Sequence, residues 1–75
     1  SNEILFAGNS LREIAGILER MYNVTVIFDD AEIAGYTYTG LVRNNSLPNV
    51  LELISSTSPV KYRMSADTIK FSKKD

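Results

Sequence analysis

Two stretches of the chain, AGNSLREIA and RNNSLPNVL, make the same statement thirty-six residues apart. Each sets Asn-Ser-Leu before an apolar helical pattern. No other feature limits the fold as much, because self-similarity at a fixed offset means two copies of one supersecondary unit. Aligning Leu11 with Leu47 also pairs Ile14 with Val50, Leu18 with Ile54, Val24 with Val60 and Val26 with Tyr62. The echo therefore reads as two strand–helix–strand units, the second followed by one more strand. It needs no ligand to explain it: serine caps a helix, and leucine is the first core residue after the cap.

The local signals agree. Ile4, Leu5 and Phe6 form a short apolar strand, with a turn expected at Ala7-Gly8. Ser10 and Glu13 have the spacing of a capping box. Leu11, Ile14, Ala15, Leu18 and Met21 follow at helical spacing, and Asn23 suits the left-handed residue that ends a helix. VTVIF is a β-branched run that reads as a mostly buried strand, ended by Asp29 and Asp30. YTYTGLV alternates Tyr36 and Tyr38 against Thr37 and Thr39, as a strand does, and Gly40 within it suggests a bulge or close backbone approach. Ser46 is the expected cap of a second helix that tolerates Pro48 in its first turn. Its apolar stripe is Leu47, Val50, Leu51 and Ile54, and Ser55 to Pro59 ends it. VKYRM places Val60, Tyr62 and Met64 on one face and Lys61 and Arg63 on the other. After a turn at Ser65-Ala66-Asp67, Ile69 and Phe71 alternate with Thr68 and Lys70.

The expected class is α+β, in the order βαβ-βαββ. The matched stripes of the two helices are expected to pack side by side, and parallel strands joined by a helix should cross over right-handed.

At 75 residues the chain, 1–75, is one small domain with one modest core. It has no cysteine, so packing alone must hold it. The net charge is -1, from eight basic and nine acidic residues, whereas nucleic-acid modules carry a clear basic excess. The basic KFSKKD ending reads as a solubilising tail. No apolar run approaches the ~18 residues of a membrane span, and no signal peptide begins the chain. The abrupt SNEILF start is expected to mark a fragment of a larger protein, with Ser1 left over from cloning.

Catalytic patterns are missing. There is no histidine and no cysteine, which removes the nucleophile–base pairs built on them. Gly8, Gly16, Gly35 and Gly40 are too scattered for a phosphate loop. Asp29, Asp30 and Glu32 are the only acidic cluster, without the alternating oxygen ligands of a calcium loop. They read as a solvated turn, and no cofactor or metal is expected. Asn23-Val24-Thr25 and Asn44-Asn45-Ser46 match the glycosylation pattern, a match frequent by chance. Tyr36 and Tyr38 read as half-buried core with wet hydroxyls, or as anchors for a protein partner, better than as a base-stacking platform, since only Arg43 is nearby.

Several features taken in order resemble the C-terminal domain of FecR-family anti-sigma factors, especially the Bacteroidetes type. They are Tyr22-Asn23-Val24 after the first helix, Thr39-Gly40 in the middle strand, Ser46-Leu47 leading to Val50-Leu51, and the ending TSPVKYRM to TIKF, Thr57 to Phe71. The resemblance covers about Ile4 to Phe71. It implies a fold similar to the secretin and TonB short N-terminal (STN) domain, in which two helices are packed between two small sheets. It also implies a non-catalytic periplasmic domain of an inner-membrane protein. That protein would contact an extracytoplasmic-function sigma factor through an N-terminal part absent here and cross the membrane by a helix also absent here. The partner implied for this domain is the periplasmic signalling domain of a TonB-dependent outer-membrane receptor. Competing readings are the STN domain of a receptor or secretin, and a small α+β enzyme or nucleic-acid binder. Small sheets leave edges for an incoming strand. The residues expected to meet the partner are Tyr36, Tyr38, Arg43, Lys61 and Arg63.

Overall fold

The computed structural model describes residues 2–75. Its elements are β1 (Ile4–Ser10), α1 (Leu11–Tyr22), β2 (Thr25–Phe28), a 3-10 helix (Ala31–Gly35), β3 (Thr37–Val42), α2 (Leu47–Ser56), β4 (Val60–Ser65) and β5 (Thr68–Lys73). The class is α+β and the order is the expected βαβ-βαββ. The two strands of one unit do not share a sheet, however. β1 pairs antiparallel with β3, while β2 runs parallel to β5 and β4 antiparallel to it, in the order β2-β5-β4. Each helix thus carries the chain from one sheet to the other, and the expected right-handed crossover has no same-sheet connection to govern.

The thirty-six-residue offset holds in space. It carries Phe6 onto Val42, Ile14 onto Val50, Ala15 onto Leu51, Leu18 onto Ile54 and Val24 onto Val60, all of them buried. It also carries Leu5 onto Leu41, which is its own cross-strand partner. The pairs Ile4–Val42 and Phe6–Gly40 are then images of one another. The two units are related by a pseudo-two-fold axis through the Leu5–Leu41 pair. β5 has no counterpart; it fills the space between β2 and β4.

Hydrogen bonds at the chain's caps explain where the helices stop. Ser10 Oγ accepts from the Glu13 N–H at 3.1 Å, and Glu13 Oε1 accepts from the Ser10 N–H at 2.9 Å. Asn23 takes the left-handed conformation, φ 55 and ψ 48, and its N–H donates to the Glu19 carbonyl. Ser46 caps α2 with a longer 3.4 Å bond from the Asn49 N–H, and Pro48 sits in the first turn. The turn expected at Ala7-Gly8 is instead a bulge. β1 continues to Ser10, and its register shifts between Ala7 and Asn9 around Gly8, whose φ of 71 favours glycine. The Gly8 N–H donates to Thr39 Oγ1 at 3.0 Å. The bulge is therefore not at Gly40, which stands in register opposite Phe6. The 3-10 helix has no expectation in the sequence reading. Asp30 caps it, accepting from the Glu32 N–H at 2.8 Å, and it buries Ile33 and Ala34.

One apolar cluster joins Phe6 and Val42, the stripes of both helices, Ile33, and the inner faces of β4 and β5 at Val60, Ile69 and Phe71. The helices lie between the two sheets and meet through this core. α1 packs most closely on β1, β2 and the 3-10 helix, and α2 on β4. Among the described residues no polar side chain is buried.

Candidate partner-docking surfaces

The five residues singled out in the sequence fall on two separate surfaces. Tyr36, Tyr38 and Arg43 lie on or beside β3, and Lys61 and Arg63 lie on β4 in the other sheet.

The tyrosines turn inward, as their alternation with Thr37 and Thr39 requires. Tyr36 closes the 3-10 helix. Its N–H donates to the Ile33 carbonyl at 3.1 Å, and its carbonyl accepts from the Leu11 N–H at 2.8 Å. Its hydroxyl stands 3.5 Å from Glu32 Oε2. Tyr38 packs against the core, and its hydroxyl donates to Ser58 Oγ at 2.8 Å. Ser58 in turn donates to the Ile54 carbonyl at 2.6 Å. Burial pushes the Tyr38 phenol above its ordinary 10.0, the Ser58 bond pulls the other way, and Tyr36 adds to the rise. Arg43 lies just beyond β3 and pairs with Glu3 at 3.5 Å, both side chains being solvent-exposed.

The outer face of β1–β3 is apolar at its centre. Leu5 is 69% exposed and Leu41, directly opposite, 46%. A shallow groove between β3 and α2 continues from there, lined by Leu41, Val42, Asn49 and Leu53. This pair is not among the five residues expected from the sequence. The alternation of Leu5 with buried Phe6 was the available signal.

On the other sheet, Lys61 and Arg63 face outward as expected. β5 adds a residue that sequence reasoning missed: Lys70 stands directly opposite Arg63. Its signal was the two-residue turn Ala66-Asp67, which closes Ser65 against Thr68 and so sets Arg63 against Lys70. On the other side of Lys70 is Ile27, 45% exposed. Lys61 reaches Asp75 at 3.5 Å. Neither Arg63 nor Lys70 forms an ion pair among the described residues.

Asp29, Asp30 and Glu32 are engaged locally. Lys73 lies 2.6 Å from Glu32 Oε1 and 3.9 Å from Asp30 Oδ2, and Ser72 Oγ donates to Asp29 Oδ2 at 3.5 Å. Glu32, by hydrogen bond and by charge, raises the Lys73 ammonium above its ordinary 10.5. No group of three or more acidic side chains among the described residues is placed to hold a metal ion. One sheet thus presents exposed apolar area and the other positive charge.

The sequence matches the family described as FecR, C-terminal, over residues 3–71. The fold is similar to that of a candidate anti-sigma factor from Parabacteroides distasonis ATCC 8503, solved at 1.65 and at 2.50 Å resolution. The TM-scores are 0.85 and 0.84, and both are 26% identical. The comparison covers 97% of this chain and 34% of that one, so the chain spans about a third of the solved protein's length. No curated protein matches it significantly.

Proposed function

Because the chain belongs to the FecR C-terminal domain family, we propose that it is the non-catalytic interaction domain of a membrane-anchored anti-sigma factor. The observation that carries this reading is the family match across nearly the whole chain, on a fold that the solved candidate anti-sigma factor shares. On this reading the domain lies in the periplasm. Its partner is the periplasmic signalling domain of a TonB-dependent outer-membrane receptor, and the sigma factor is contacted by another part of the parent protein. A loaded receptor engages the domain, and sigma release follows. Among the described residues no helix is long and apolar enough to cross a membrane, so the anchor would lie elsewhere in the parent.

The test is an NMR titration of the labelled 75-residue chain with the receptor's signalling domain. Saturable shifts clustered at Tyr36, Tyr38 and Arg43, or at Lys61 and Arg63, are expected. Shifts confined to the helix surfaces at Arg12, Glu19 and Glu52 would move the interface to a helical face. No saturable binding at all would sink the assignment of this partner.

A further inference from the structure

We propose that the open edge of β4, beside the outward-facing row Lys61, Arg63 and Lys70, binds an extended acidic segment of a partner protein as an added strand. The proposal rests on the reading of the domain as a protein-binding module and specifies the chemistry of what it binds.

The three-stranded sheet has two edges, and they are treated differently. At β2 the Val26 N–H points away from β5, and Glu19 Oε2 of α1 accepts it at 3.0 Å. A carboxylate thus occupies that edge. At β4 nothing comparable happens. With a two-residue turn, the pairs Ser65–Thr68, Arg63–Lys70 and Lys61–Ser72 exchange the ladder bonds. The backbone groups of Tyr62 and Met64 then point outward, and among the described residues no side chain takes up their N–H groups. An edge of this kind is a template for one more strand.

Charge selects the occupant. Arg63 and Lys70 are directly opposed across an antiparallel pair, an arrangement that repels. Among the described residues neither forms an ion pair with an acid, so no such pairing relieves the repulsion. Lys61 lies two residues from Arg63 on the same face, and among the described residues it pairs with the exposed Asp75. A strand added at β4 sets its own outward side chains, spaced about 7 Å apart, beside Lys61 and Arg63. Glutamates at alternate positions meet both. Only a polypeptide can pair with the open backbone edge, which favours an acidic strand over a polyanion such as nucleic acid.

The probe is a synthetic strand peptide, acetyl-Thr-Glu-Val-Glu-Val-Glu-Thr-amide, titrated into the labelled 75-residue chain at low salt. Shifts at the amides of Tyr62 and Met64, together with Lys61, Arg63 and Lys70, are expected, and they should weaken as salt rises. Replacing the glutamates with glutamine should weaken binding about tenfold, as should the R63Q/K70Q variant. That variant removes a repulsion, so it should fold with an unchanged or higher Tm. Equal binding of the glutamine peptide, or no shift along β4, overturns the proposal. Stronger shifts of Arg63 and Lys70 with duplex DNA or anionic vesicles overturn it in favour of a polyanion. The receptor titration above is independent: binding through β3 would preserve that reading while this one fails.

Discussion

Tyr38 has its ring in the core and its hydroxyl on a two-step chain through Ser58 to the end of α2. Tyr38→Phe keeps the ring and removes one hydrogen bond, while Ser58 retains its bond to the Ile54 carbonyl. A loss of about 0.5–1.5 kcal/mol in denaturant titration is expected. The same residue gives a pH dependence. Its folded-state pKa is raised, so the neutral phenol is favoured by folding. That contribution is complete below about pH 10, the ordinary value of the unfolded group, and is lost as pH rises through the higher folded value. The stability gap between wild type and Tyr38→Phe should therefore narrow above pH 10, which melts across the alkaline range would show. Lys73 has the same sign: Glu32 favours its ammonium in the folded state, and that preference is lost as pH rises through the raised value. A gap that widens with pH would contradict this account of Tyr38.

The two helices offer a comparison between elements. Both begin at Ser-Leu, but Ser10 is part of a reciprocal box with bonds of 3.1 and 2.9 Å, while Ser46 makes one bond of 3.4 Å. Ser10→Ala should cost about 1 kcal/mol, and Ser46→Ala should cost less. Equal losses in urea titration would mean that the box adds nothing to the single cap. The strands show a similar inequality. β2 has its edge occupied by Glu19 and β4 does not, although the repeat makes them counterparts. The difference comes from α1, which carries a glutamate where α2 has Ser55 at the equivalent offset.

For the molecule as a whole, one core joins both units, so damage to either helix should be felt globally. Leu18 and Leu51 are both essentially inaccessible to solvent. A chain of this size has about 4–11 kcal/mol of stability in total. Truncating either leucine to alanine should cost about 2–5 kcal/mol, a large share of it. Losses below about 1 kcal/mol for both would mean that the helices are not central to the core.

The sequence by itself determined the order of the two α-helices and five strands and the buried stripes of α1 and α2, but it did not mark the 3-10 helix, and it made β2 mostly buried where Ile27 is 45% exposed. The features it determined are local: stripe spacing in α1 and α2, alternation in β3 to β5, the cap at Ser10 and the left-handed Asn23 follow from residues a few positions apart. The family resemblance rested on the same local pattern, and the match over residues 3–71 agrees with it. What local pattern does not encode is which strands share a sheet. The alternation within β1 and β2 is satisfied equally well by one sheet or two. Only the packing of both helix stripes onto one core sent the strands of each unit to opposite sheets, and only the pseudo-two-fold relation set Leu5 against Leu41. The same tertiary pairing decided the surfaces. It separated Tyr36, Tyr38 and Arg43 from Lys61 and Arg63, and it brought up Lys70, because cross-strand neighbours are fixed by register and register by long-range contact.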